Sequence, residues 1–172
     1  VIVTRQRDAI AGHLTEAYAD DIRQVIGVGG DGTNFALLNA LIPFNDRQTI
    51  VTPGSLPLTY GMLPVGTGCD WARSRGIPRE PSQAAKWLLQ AKPRAVDVGH
   101  LRINGADERY FLNIASTGLG GEVDARVSKV TDRRPWTFLR ATISAILTYS
   151  PQRVSVTLDG ETHGLPDHFM VI

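Results

Sequence analysis

Twice in this sequence a short apolar run stops at a cluster of glycines and passes directly into a segment with helical periodicity. The first instance is Ile22 to Val28, then Gly29-Gly30-Asp31-Gly32-Thr33, then Phe35, Leu37, Leu38, Leu41 and Ile42 up to Pro43. The second is Met62-Leu63-Pro64-Val65, then Gly66-Thr67-Gly68-Cys69-Asp70 with a helix beginning near Asp70. A strand that breaks at glycine and restarts as a helix lets a ligand approach the main chain, and the free N–H groups at the helix start attract phosphate. In a parallel sheet both loops leave the carboxyl edge, where ligands of such folds bind, so the two can embrace one nucleotide. Asp31 stands out because a carboxylate beside a phosphate is unfavourable unless it holds a metal, takes a proton from an attacking hydroxyl or binds a ribose hydroxyl. The other reading is a strand-to-helix turn in which Asp31 serves as a cap. Neither loop is a Walker A sequence, since no Gly-Lys-Ser/Thr follows the glycines, and neither has the Rossmann spacing.

Around these loops the pattern predicts a strand at Val1 to Thr4 and an amphipathic helix from Arg7 to Ala19, with Ile10, Leu14, Ala17 and Tyr18 on its apolar face. A linker with Pro53, Gly54, Pro57 and Gly61 precedes the second strand, and a helix from Ser82 to Ala91 buries Ala84, Ala85, Leu88 and Leu89. Trp71 and Trp87 are expected in the core. Alternation of strand and helix up to about residue 94 is the signature of a parallel, three-layer α/β domain, placed here at residues 1–95. The rhythm then changes. Val96 to Ile103, the turn Asn104-Gly105 and Tyr110 to Ile114 read as an antiparallel hairpin that opens a β-rich second domain at residues 96–172. Within it, Gly118 to Gly121 precede a helix with Val123, Val127 and Val130, Trp136 to Tyr149 is a second helix, and Arg153 to Asp159 is a strand turning at Asp159-Gly160. Strand-like runs at both ends, Val1 to Thr4 and Phe169 to Ile172, lead to the expectation of a piece cut from a longer chain at its N- and C-terminal sides.

Composition narrows the function. Eighteen Lys and Arg against seventeen Asp and Glu leave +1, so no global field draws the chain to nucleic acid. With 42% hydrophobic and 20% charged residues the chain is globular rather than disordered. The single cysteine, Cys69, excludes a disulfide framework and a multi-cysteine zinc site, and fits the cytoplasm. No stretch approaches the roughly 18 apolar residues of a spanning helix, so the expectation is a soluble or peripherally bound protein. His13, His100, His163 and His168 are too dispersed to form a ligand set. Arg126, Lys129, Arg133, Arg134 and Arg140 gather around Trp136, a local basic patch that reads either as a seat for anionic lipid headgroups or as a solvated helix pair.

At its loops the sequence resembles the diacylglycerol kinase catalytic domain, in the group that includes bacterial lipid kinases, sphingosine kinases and ceramide kinases. Gly29-Gly30-Asp31-Gly32-Thr33 matches the group's hallmark, and Leu63 to Arg73 is similar to its second block, usually Leu-Pro-Leu-Gly-Thr-Gly-Asn-Asp-Phe-Ala-Arg. Val96-Asp97-Val98-Gly99, Phe111 to Ser116 and Gly118 to Gly121 follow in order. The resemblance implies transfer of the γ-phosphoryl group of MgATP to a lipid hydroxyl. Gly29, Gly30, Gly32, Thr33, Gly66, Thr67 and Gly68 would hold the phosphates, and Thr4 matches a nucleotide-contacting position. Asp31 would act in catalysis, as proton acceptor or as anchor for metal-bound water. Asp70 would orient the second loop or help bind Mg²⁺ through water, and Asp97 belongs either to the cleft network or to the hairpin edge. The implied partners are a lipid alcohol and the surface of a membrane, with no nucleic acid, and a homodimer is left open.

The sequence departs from the family at Asn34-Phe35-Ala36, where bacterial relatives typically have Leu-Asn-Glu, and at Cys69, where they have Asn. A late catalytic Asp-Gly-Glu is missing, because Asp159-Gly160-Glu161 lies too early and reads as a hairpin turn. Residues 1–172 alone are therefore expected to be inactive. The alternatives are NAD kinase, which shares the first loop but lacks the second block, and a non-catalytic module that binds nucleotide or lipid.

Overall fold

The computed structural model describes residues 1–172 apart from 5, 52–56, 106, 131–135, 169 and 172. Its contacts divide the chain into two units, Val1–Asn113 and Ile114–Ile172.

In the first unit a short 3-10 turn, Arg7–Ala9, leads into helix α1, Ile10–Ala19, whose Ile10 and Leu14 are buried one turn apart. Asp21, in the left-handed region at φ 62, reverses the chain, and the Ile22 N–H closes the helix end on the Ala17 carbonyl at 2.9 Å. Strand β1, Gln24–Gly29, pairs in parallel with β2, Thr59–Pro64, in a register that runs from Gln24 opposite Thr59 to Gly29 opposite Pro64. The expected strand at Val1 to Thr4 is not formed: Val1, Ile2 and Val3 are exposed, and β1 pairs only with β2 among the described residues. A β-branched run needs a ladder partner to become a strand, and this one has none.

Helix α2 spans Asp31–Val51 and runs through Pro43, where the sequence had suggested its end. An interior proline costs about 3 kcal/mol, because a helical hydrogen bond is lost and the ring crowds the preceding turn. What outweighs it is burial on both sides of the proline. Leu41 and Phe44 are 6% and 2% exposed and pack with Ile10, Leu14 and Leu58, each large side chain contributing roughly 1.5–3 kcal/mol. Asn45 adds a side-chain clamp, its Oδ1 accepting from the Leu58 N–H at 2.9 Å and its Nδ2 donating to the Leu58 carbonyl at 3.1 Å.

Val25, Leu37 and Tyr60 join this cluster, so α1 and α2 cover one face of the β1–β2 pair. Successive strand residues face opposite ways, and Gly61, next to Tyr60, looks toward helix α4, Pro81–Gln90. A Cβ on Gly61 would lie 3.1 Å from Leu88. Glycine there brings α4 close against the second face and completes three layers, and it places Gly61 inside β2 rather than in the linker. Pro53 and Gly54 of that linker lie outside the described residues. Only part of the expected α4 face is buried. Ala84 is fully enclosed, whereas Leu89 is 88% exposed and Trp87 38%, because they lie off the line of Ala84 and Leu88. Trp71 is in the core, with Met62, Cys69, Ala72, Ile77 and Ala84.

The hairpin pairs β3, Gly99–Ile103, with β4, Asp107–Phe111, and Asn104 and Gly105 at φ 50 and 75 make the expected reversal. The hairpin falls within the first unit. Asn39 on α2 ties it there. Its Nδ2 donates to the Tyr110 carbonyl and its Oδ1 accepts from the Tyr110 N–H, each at 2.9 Å, so one amide satisfies both main-chain groups of a strand residue.

The second unit contains helices α5, Leu119–Ser128, and α6, Thr137–Thr148, and the antiparallel hairpin of β6, Gln152–Leu158, with β7, Glu161–His168. Asp159 and Gly160 form its turn with positive φ, as expected. A short strand β5, Thr117–Gly118, pairs with β8, Met170–Val171. Arg126 joins the helices, donating to Glu122 at 2.8 Å, Ser144 at 2.6 Å and Thr148 at 2.7 Å. That engagement takes Arg126 out of the expected basic patch, of which Arg133 and Arg134 lie outside the described residues. Leu139, Ile143, Ile146 and Leu147 on α6 are at least half exposed. No helix among the described residues is long and apolar enough to cross a membrane.

Two predictions follow from the packing of the first unit. Asn39→Ala leaves the half-buried main chain of Tyr110 without partners, which costs about 1–3 kcal/mol and is read as a lower unfolding midpoint with faster amide exchange at Tyr110. Burial of Tyr60, whose hydroxyl has no hydrogen-bond partner among the described residues, raises its pKa. Because only the folded state resists ionisation, stability is intact below the ordinary phenol pKa and falls as pH rises past about 10. Tyr60→Phe should remove that alkaline loss, as measured by melting between pH 8 and 11.

Candidate active site at the two glycine turns

The parallel ladder delivers both glycine turns to the same edge. Past the end of β2, the Val65 N–H still donates to the Gly29 carbonyl at 2.9 Å, so the chains separate only at Gly30 and Gly66. There the two backbones touch. A Cβ on Gly66 would lie 2.6 Å from the Gly30 Cα and 3.2 Å from the Gly30 nitrogen, an approach open to no other residue.

Asp31, the first residue of α2, crosses this junction. Its Oδ2 accepts from the Cys69 N–H at 2.8 Å and its Oδ1 from the Asp70 N–H at 3.0 Å. The carboxylate thus caps helix α3, Asp70–Ser74, from the other loop, satisfying two donors that a helix start leaves without partners. Cys69 can turn its N–H this way because it is left-handed, at φ 54 and ψ 45. Asn tolerates that region best among residues with a side chain, which gives a backbone reason for Asn in relatives. The Cys69 thiol is 1% exposed and lies 3.9 Å from the Gly29 carbonyl, so it packs beneath the turns instead of facing reagents.

The remaining expected residues divide into those at the junction and those elsewhere. Gly32 and Thr33 fall within the first turn of α2 rather than in a loop, and the Thr33 and Asn34 N–H groups both close on the Gly30 carbonyl at 3.0 Å. The N–H groups ahead of them, on Asp31 and Gly32, have no carbonyl within the helix to bond. Gly68 sits between two carboxylates: a Cβ there would lie 2.7 Å from Asp31 Oδ2 and 3.8–3.9 Å from the oxygens of Asp70. Asp70 is also ion-paired with Arg73. Thr67 is exposed, and its carbonyl accepts from Arg79 at 2.9 Å. Among the described residues Thr4 bonds locally, to Gln6, and Asp97 is an exposed residue ahead of β3 with no described contact to the turns. Among the described residues no group of three or more His, Cys, Asp or Glu side chains could hold a metal.

Asn34, one of the departures from the family, is buried at 5% exposure with its Oδ1 lacking a partner among the described residues, while Phe35 is exposed and Ala36 packs beside α1. Sequence reasoning missed Arg79 and Asn39. Neither belongs to a motif, and what reveals each is a backbone carbonyl brought near by the fold.

This geometry coincides with a family match. The family model for the diacylglycerol kinase catalytic domain matches residues 1–101. The chain belongs to that family. It is 38% identical over 104 residues to a diacylglycerol kinase of Bacillus subtilis (strain 168), an alignment covering 60% of this chain and 29% of that protein. It is also 38% identical over 108 residues to a "probable lipid kinase YegS-like" of Chromohalobacter salexigens, covering 63% and 30%. Among solved structures, a diacylglycerol kinase from Bacillus anthracis str. Sterne superposes with a TM-score of 0.64 at 25% identity, over 99% of this chain and 50% of that one. The chain therefore spans about half of that solved structure, and its aligned part about a third of the curated relatives. Of the two kinase families weighed from the sequence, the matched model is that of the diacylglycerol kinase catalytic domain.

The main-chain contact carries a direct test. Gly66→Ala places a methyl against backbone, where no rotamer relieves it, and should destabilise by about 1–3 kcal/mol. Amide exchange at Cys69 and Asp70 should accelerate as the Asp31 bonds open. Unchanged protection at those two amides would show that the turns do not touch as described.

Proposed function

We propose that the intact protein transfers the γ-phosphoryl group of ATP to the hydroxyl of a lipid, diacylglycerol or a similar long-chain alcohol. The observation that supports this most is the junction itself: two glycine turns in main-chain contact, bridged by one carboxylate, at the end of a parallel strand pair. The open N–H groups at the start of α2 and the bare backbone of Gly30 and Gly66 suit phosphate oxygens, because a glycine puts no side chain between main chain and ligand.

In this reading Asp31 is a positioning residue. Both of its oxygens are engaged by N–H groups, so it holds the second turn in register with the first, and the proton of the acceptor hydroxyl is not assigned to it. Each oxygen keeps a second lone pair. With Asp70 across Gly68, these suit a magnesium ion, which prefers one or two carboxylates completed by water and phosphate oxygens. Such an ion would neutralise charge on the transferring phosphoryl group. What the protein contributes is alignment, and in phosphoryl transfer alignment and charge neutralisation supply most of the catalysis. Contact with a membrane surface belongs to the same reading, since the acceptor is a lipid.

The test is labelled ATP with the intact protein against diacylglycerol, sphingosine, undecaprenol and NAD. A phosphorylated lipid is expected, and NAD phosphate is not. Asp31→Asn puts an amide NH₂ where an N–H must be accepted, so kcat/KM should fall about a hundredfold through misalignment, with faster exchange at the Cys69 or Asp70 amide. Nucleotide binding without transfer to any acceptor would favour a regulatory module instead.

A further inference from the structure

We propose that Arg79 is the cation that the protein itself supplies to the phosphate chain of a nucleotide at the second glycine turn. The inference rests on the nucleotide-binding reading above and adds a residue outside every motif of the sequence.

The two turns are poor in positive charge. Residues 29–34 and 65–70 contain no Lys or Arg, and they contribute the carboxylates of Asp31 and Asp70. A polyphosphate brought to this junction meets N–H dipoles, but no lysine of the Walker type accompanies them. Some other side chain must offset the charge. Most arginines of the first unit with described contacts already have acidic partners: Arg23 pairs with Asp21, Arg73 with Asp70, Arg102 with Glu108 and Arg109 with Asp107.

Arg79 differs in both respects. Its NH2 group donates to the Thr67 carbonyl, in the middle of the second turn, at 2.9 Å. Among the described residues no carboxylate pairs with it. The adjacent Glu80 is turned toward its own helix, accepting from the Ser82 and Gln83 N–H groups at 3.0 and 2.9 Å as the cap of α4. A neutral carbonyl fixes the guanidinium without cancelling its charge, and four further N–H donors remain in a planar fork suited to phosphate oxygens. The guanidinium is exposed, so a ligand can reach it.

The experiment compares binding of MgATP, ADP and AMP by calorimetry to the intact protein and to Arg79→Gln, Arg79→Lys, Arg79→Ala and Arg75→Ala. Gln keeps a donor for Thr67 and removes the charge. Arg79→Gln and Arg79→Ala should each lose about tenfold in ATP affinity, the scale of one charge-assisted contact, with little change for AMP. Arg79→Lys should keep most of the affinity, and Arg75→Ala should match the parent. ATP binding by Arg79→Gln as tight as the parent's would overturn the proposal, as would an equal loss for AMP, which would make Arg79 only a prop for the turn. A parent protein that binds no nucleotide would overturn the nucleotide reading itself, a separate outcome. Loss of binding to phosphatidate vesicles with ATP affinity intact would assign the cation to a lipid phosphate and overturn the proposal as stated.

Discussion

One carboxylate holds two turns that the sequence separates by more than thirty residues. Asp31 sits at the start of α2 and accepts the N–H groups that open α3, so a single side chain joins the two helix starts on which any phosphate site here depends. The bond has no slack, because Gly30 and Gly66 already touch and leave no space for a side chain between them. The strand ladder below continues to Val65 and Gly29, which makes the junction an extension of the sheet. The edge therefore resists shear from two sides, by sheet hydrogen bonds underneath and by the carboxylate above.

That rigidity needs a support for α2, and the support lies far from the glycines. The first half of α2 carries Asp31 and the second half carries Leu41, Phe44 and Asn45 into the core beneath β2. Had the helix stopped at Pro43, it would have lost Phe44 and the Asn45 clamp and been held by the residues before the proline, Leu37, Leu38 and Leu41. Continuity through the proline transmits the packing of α1 and the Leu58 clamp to the residue that aligns the turns. Asn39, midway along, uses the same helix to dock the hairpin, so one rod carries the junction, the core and β4.

Local features of this arrangement were legible in the sequence, and nonlocal ones were not. Glycine clusters after short apolar runs announced both turns, where two backbones approach too closely for a side chain, and Asn104-Gly105 and Asp159-Gly160 announced both hairpin reversals, where the backbone takes positive φ. Pro43 misled because a local penalty was weighed without the tertiary burial that exceeds it. The docking of the hairpin on α2 was illegible because it runs through one amide, Asn39, whose partner lies 71 residues away. Leu89 and Trp87 were assigned to the core from hydrophobicity, although only the line of Ala84 and Leu88 meets β2. Residues 1 to 3 had strand composition and no strand to pair with. For Asp31 the sequence left a cap and a chemical role as alternatives, and the geometry shows the cap, on the second turn, whose Cys69 and Asp70 N–H groups it holds in place.

Cys69 shows how the site is made of backbone more than of side chains. Its left-handed conformation is unfavourable for a residue with a Cβ, by roughly 1–2 kcal/mol, yet it is the conformation that turns the Cys69 N–H back toward Asp31. The buried thiol recovers part of that cost through contact with the Gly29 carbonyl and the core around Met62. What is retained at this position is thus the direction of an N–H group, and Asn, Gly or a small buried side chain can each supply it. The same reasoning explains how Phe35 and Ala36 can depart from the family pattern without disturbing the junction: neither takes part in a described bond to the second turn, whereas a side chain on Gly66 would drive the two backbones apart.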